Sequence, residues 1–225
     1  MNDAGLAAVW VLILGVGIAG CVLLHRWGVA TTYVRDLLHV GTGIWVLGWR
    51  AWKEPAWPMA IVLAACAVTA LGPSLASRSA LAGRVVTSFA AGDERWNGLL
   101  LYTCSFAFMT AAALRGEAFS PAAALLALCL GDGLGGAVGR RFGKHFFRAP
   151  GGKRKSLEGS AVVALGAMVG VLIAAAWFGA KPGIALASGL GLAAAVTEAL
   201  APRGTDNVAL PLVVWLLASA GRHAA

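Results

Sequence analysis

Residues 119–178 read FSPAAALLALCLGDGLGGAVGRRFGKHFFRAPGGKRKSLEGSAVVALGAMVGVLIAAAWF. Two apolar runs, each close to the ~20 residues that a bilayer core takes from a helix, flank a short loop dense in glycine, lysine and arginine. A helix packed on one side of a water-soluble domain carries charge along its other face. Between Phe119 and Gly139 the one charged residue is Asp132. The stretch therefore reads as two membrane-crossing helices joined by a basic loop.

The rest of the chain has the same character. Of 225 residues, 59% are hydrophobic and 12% charged, and the mean hydropathy is +0.78, far from soluble usage. The sequence predicts an all-α polytopic helix bundle, a single integral membrane domain over 1–225, with crossings at about 5–24, 38–52, 56–75, 97–114, 119–139, 159–178, 183–200 and 207–221. Seven or eight crossings take roughly 140–160 residues, which leaves no room for a separate soluble catalytic domain. Disorder and a disulfide scaffold are excluded by composition, and an outer-membrane barrel by the lack of alternation. Thirty glycines and eight prolines are tolerated because small residues let membrane helices approach. Cys21, Cys66, Cys104 and Cys129 all lie in apolar runs without CxxC spacing, and read as packing residues. The first run is expected to be an uncleaved helix, since Met1–Gly5 holds Asp3 and no Lys or Arg. Residues 77–96 form a more polar interval that reads as a surface helix or a re-entrant piece, its Arg78, Arg84, Asp93, Glu94 and Arg95 a solvated face.

Charge sets the expected orientation. Loops after odd-numbered crossings hold thirteen Lys and Arg, against five on the other side; basic loops stay cytoplasmic, which places both termini outside. The net charge of +8 belongs to this rule and to anionic lipid rather than to nucleic acid. Asp36, Asp132, Glu158, Glu198 and Asp206 fall in or beside the cytoplasmic ends, so carboxylates from several helices can converge on one cytoplasm-facing site.

Asp132 is the first candidate, because an intramembrane carboxylate is costly unless paired, hydrated or bound to a metal. Gly131, Gly135, Gly139 and Gly143 recur every four residues along one face of its helix, either for close helix packing or for contact with a ligand. The loop that follows, with Lys144, Gly151, Gly152, Lys153, Arg154 and Lys155 ahead of a helix start, suits a polyphosphate, since exposed backbone N–H groups and the helix dipole favour an anion there. It lacks the GxxxxGK[ST] of a Walker A loop. Ser156 is placed to cap the next helix. His39 lies four residues from Arg35 on one helical face, while His25, His145 and His223 have no partner pattern. Most of the nine tryptophans lie near proposed helix ends, as an aromatic belt does.

Asp132, Gly139 and Gly143-Lys144, followed by Lys155-Ser156-Leu157-Glu158-Gly159-Ser160, resemble the D-x-x-A-x-x-x-G-x-x-x-G-K and K-S-x-E-G-S signature of the family of phytol kinases, dolichol kinases and CTP-dependent diacylglycerol kinases. Arg35-Asp36-Leu37-Leu38-His39 resembles the family's early R-K-x-x-H element. Thr197-Glu198-Ala199-Leu200, Asp206-Asn207 and Pro211 resemble its late element. The resemblance spans about residues 35–211 and is nearest to the bacterial phytol kinases. Asp36 stands where the pattern has Lys, Gly135 where it has Ala, and the tyrosine-rich segment matches 96–102 only loosely. CTP:phosphatidate cytidylyltransferases share the central signature distantly, but their terminal HGG and DR elements are absent here.

The resemblance implies CTP as phosphoryl donor, Mg²⁺, and a membrane lipid alcohol, isoprenoid or diacylglycerol, as acceptor. It implies Asp132 and Asp206 as metal ligands with Asn207 in support. Arg35, His39, Lys144, Gly151, Gly152, Lys153, Arg154, Lys155 and Ser156 then belong to the nucleotide and phosphate site, and Glu158 or Glu198 serves as second ligand or general base. Cytidylyl transfer to a lipid phosphate and cation- or proton-coupled transport are the alternative readings. A homo-oligomer stays open.

Overall fold

The computed structural model describes residues 1–90, 93–150, 154–202 and 204–223, with the backbone alone at 93–95, 222 and 223. Its centre is the helix that carries Asp132. Helix α7 (Phe119–Leu126) starts where the Glu117 carboxylate accepts from the backbone N–H groups of Phe119 (2.7 Å) and Ser120 (3.2 Å). It continues without a break through a π-helical segment, Ala127–Asp132, into α8 (Gly133–Phe142). Ala122 to Leu125 and Ala127 to Cys129 are wholly buried, as a helix apolar on all sides must be.

Around this axis lie α9 (Leu157–Phe178), α10 (Ile184–Leu200) and α11 (Asp206–His223), with α9 against the whole length of α7 and α8. Small residues make the contact possible. A Cβ on Gly135 would lie 2.3 Å from a Val163 methyl and 3.0 Å from the Gly159 carbonyl, and Gly131 and Gly139 face α9 in the same way. The four-residue glycine repeat is therefore a packing surface. Ser156 caps α9 as its position predicts, its hydroxyl accepting from Gly159 N–H at 3.1 Å.

A second layer holds α1 (Asp3–Arg26), α2 (Thr31–Thr42), α4 (Ala56–Ala76), α5 (Ala80–Phe89) and α6 (Asp93–Ala113). Helix α2 joins it to α8, and α6 joins it to α7 and α11. The predicted crossing at 38–52 is not one helix. The chain turns into α2 at Thr31, breaks at Gly43, forms the short α3 (Ile44–Leu47), and ends in a 3₁₀ turn, Trp49–Ala51. Gly48 admits the Trp10 ring where any Cβ would lie 2.2 Å from it. At that end the Asp3 carboxylate accepts from the backbone N–H groups of Lys53 (3.2 Å) and Glu54 (2.8 Å), tying α1 to the turn before α4. The polar interval after α4 holds the short helix α5, capped by Ser79.

Among the described residues four helices are long and apolar enough to cross a membrane: Asp3–Arg26, Ala56–Ala76, Phe119–Phe142 and Leu157–Phe178; Ile184–Leu200 and Asp206–Gly221 are apolar but shorter. The basic loop after α8 holds a feature that the sequence did not predict. Strands β1 (Phe146–Arg148) and β2 (Arg154–Ser156) pair antiparallel, with Phe147 opposite Lys155. The Arg154 guanidinium stacks 4.0 Å above the Phe146 ring.

Candidate active site

The π-helical segment ends on Asp132, α10 presents Glu198 in its last turn, and α11 begins with Asp206. One carboxylate oxygen of each lies within 4.8 Å of the others, and all three residues are half-buried. Wide π turns often occur where a helix carries a functional group. Like charges held so close repel unless a cation joins them. Part of that compensation is visible: Lys155, on β2, directs its ammonium to both the carboxylate and the backbone carbonyl of Glu198.

His39 stands on the opposite flank, with Nε2 at 3.8 Å from Asp132 Oδ2. Its Nδ1 faces the Arg35 carbonyl at 2.9 Å and its Nε2 faces Asn207 Oδ1 at 3.2 Å. Asn207 is oriented in turn, since its amide nitrogen donates to the Gly98 carbonyl at 2.9 Å while Ser105 donates to its backbone carbonyl at 2.7 Å. Tyr102 stacks on His39 with ring centroids 4.1 Å apart. The Tyr102 hydroxyl donates to the His39 carbonyl (3.1 Å) and shares a 2.6 Å hydrogen bond with Thr42. The early, middle and late sequence elements thus meet at one place.

Asp132, Lys155, Glu198, Asp206, Asn207 and His39 are brought together; the other predicted residues among those described are not part of this cluster. The Glu158 carboxylate accepts from the backbone N–H groups of Lys144 (3.1 Å) and His145 (3.2 Å) and from His145 Nδ1 (2.6 Å), so it ties the turn after α8 to the start of α9. Arg154 is exposed on the hairpin, Ser156 is engaged as a cap, and Arg35 is half-buried on α2. Gly151, Gly152 and Lys153 lie outside the described residues. Asp36, which stands where the resemblance has Lys, forms an ion pair with Arg140 of α8. The Ser160 hydroxyl, last in the Lys155–Ser160 run, is buried with no hydrogen-bond partner among the described residues.

Sequence reasoning missed Tyr102, Ser105 and Thr42, which hold His39 and Asn207 in place. The loosely matched segment at 96–102 was the one signal for them. As a donor set, three carboxylates converging on one point suit a hard divalent cation, which prefers oxygen ligands and accepts few from the protein.

Sequence comparison finds a phytol kinase from Synechocystis sp. that is 30% identical over 227 residues, a match covering 97% of this chain and 91% of that one. No family model matches the chain, and no solved structure does.

Proposed function

The chain belongs to the phytol kinase family, and from that premise we propose that it transfers the γ-phosphoryl group of CTP to the hydroxyl of a membrane isoprenoid alcohol, releasing CDP and a lipid monophosphate. The observation that carries the reading is the convergence of Asp132, Glu198 and Asp206 between a lysine and a histidine, drawn from five separate elements of a largely apolar chain. Phosphoryl transfer needs charge neutralised on the phosphates, the two reactants aligned, and a proton accepted from the attacking hydroxyl.

In this proposal Asp132 and Asp206 would hold Mg²⁺, which when bound would neutralise phosphate oxygens, and Glu198 stays free of it. Lys155 serves the phosphates, leaving Glu198 as they arrive. The basic residues Lys144, Lys153 and Arg154 attract the nucleotide. His39, held by Arg35 and Asn207, orients Asp132. A carboxylate of the trio takes the hydroxyl proton. Glu158 shapes the turn at Lys144 and His145 instead of touching the reactants. Diacylglycerol is the second acceptor class, and the polar site faces the cytoplasm, where the nucleotide is.

The test is incubation of purified protein with γ-³²P-CTP, Mg²⁺ and a panel of lipid alcohols. Label in a lipid monophosphate, with CDP as co-product and loss of turnover in EDTA, supports the reading. Label recovered only as pyrophosphate, with cytidine on the lipid, would replace it with cytidylyl transfer.

A further inference from the structure

A cavity of about 850 Å³ lies between α1, α2, α4, α5 and α6, away from the carboxylates. Its walls are hydrocarbon, from Trp10, Leu14, Val62, Leu99 and Phe106 among others, and no charged side chain lines it among the described residues. It is partly open rather than sealed. Glycines hollow it out: Gly17, Gly20 and Gly41 line it, and a Cβ on any of them would meet nothing within 4 Å. These glycines differ from Gly131, Gly135 and Gly139, where a Cβ would touch α9.

The cavity is joined to the polar site by a shared wall. Thr42 and Tyr102 line it, and their hydroxyls hydrogen-bond each other there. Tyr102 also bonds the His39 backbone and stacks on its ring, and His39 Nε2 is 3.8 Å from Asp132. An apolar pocket with a few polar groups at one end holds an amphiphile whose polar atom lies at that end.

We infer that this cavity holds the hydrocarbon chain of the acceptor, and that the chain leaves it past Thr42 and Tyr102, at the wall shared with the carboxylate site, so that its hydroxyl reaches the carboxylates. The inference rests on the lipid-alcohol reading for its reactive end and adds the chain's location.

The test uses the full-length protein in lipid nanodiscs. A C20 isoprenoid alcohol with a diazirine at its far end should cross-link to α1 and α4, and a Gly17→Leu/Gly20→Leu variant, which fills open space and favours helix, should lower that labelling at least fivefold. The same variant should raise KM for a C20 alcohol at least tenfold while kcat/KM for a C10 alcohol stays within twofold. Gly15→Leu, on α1 but outside the cavity lining, should change neither. Cross-links elsewhere, labelling unaffected by the double variant, equal loss for both chain lengths, or competition by phospholipid as strong as by the C20 alcohol would each overturn the inference. Wild-type protein that labels as expected but phosphorylates no alcohol would sink the kinase reading and leave the cavity assignment standing.

Discussion

At the scale of single residues, the polar groups divide by what they touch. Asp132 and Lys155 belong to the carboxylate cluster and its counter-charge, while Arg78 lies in the turn before α5, exposed and remote in the fold from α8 and α10. Asp132→Asn and Lys155→Ala are each expected to lower turnover at least about a hundredfold, near 2.7 kcal/mol at the transition state, with the protein still inserted; Arg78→Ala should cost less than about threefold on the same scale. Steady-state rates on purified variants check this, and equal losses at all three positions would put the site elsewhere. Tyr102→Phe removes the hydroxyl that bonds the His39 carbonyl and Thr42 but keeps the stacked ring. It should raise KM for the lipid more than it lowers kcat. Much of the cluster was legible in sequence, because an acid such as Asp132 in an apolar helix declares itself. The supports were not. Tyr102, Ser105 and Gly98 reach Asn207 or His39 across about 60–110 intervening residues, and no local pattern encodes such pairings.

At the scale of elements, the periodic helices were read correctly and the irregular ones were not. The apolar runs that became α1, α4, α7 to α8 and α9 are long and uninterrupted. The run at 38–52 looked like a crossing by composition, yet it is interrupted at Gly43 and again at Gly48, which admits the Trp10 ring. The hairpin was invisible because two three-residue strands offer no alternation to count, and its register rests on Phe147 facing Lys155. That register puts Lys155 within reach of Glu198. Gly135, where the family pattern carries alanine, is accounted for by the approach of Val163. A larger side chain there must force α8 and α9 apart. Gly135→Val is expected to destabilise by about 1–3 kcal/mol, as overpacked cores do, lowering the thermal midpoint in detergent. Gly189→Val, on α10 with open space at its Cβ, should leave the midpoint unchanged.

At the scale of the whole molecule, the six clustered residues lie toward the end that carries Arg35, Arg140 and Lys155, whereas Asp3, Arg50, Lys53 and Lys181 lie toward the other. The thirteen-to-five division of Lys and Arg predicts that the first end is the cytoplasmic one. In a background without native cysteines, Lys181→Cys in intact cells should react with a membrane-impermeant maleimide and Pro150→Cys should not until the cells are opened. The reverse pattern would separate the carboxylates from cytosolic nucleotide. Composition alone gave the membrane class, since 59% hydrophobic residues cannot be hidden inside 225. It gave nothing about the cavity, because hollows depend on which helices meet.

The wide turn at Ala127–Asp132 also acts as slack in the chain. A π turn closes i→i+5 instead of i→i+4, so it takes up one residue more than an α-helix needs for the same advance. Elsewhere in the bundle a one-residue deletion turns everything beyond it by about 100° and points each helix face at the wrong neighbour. Here the surplus residue can be removed and the flanks keep their phase. Deleting Leu128 should leave helix content and thermal midpoint close to wild type while disturbing the backbone that aims Asp132, so activity falls without unfolding. Deleting Ala167 from the middle of α9 should abolish the folded protein, a contrast that circular dichroism and turnover on the same two preparations would show. Length is forgiving at one place in this axis, and that place is the one beside the chemistry.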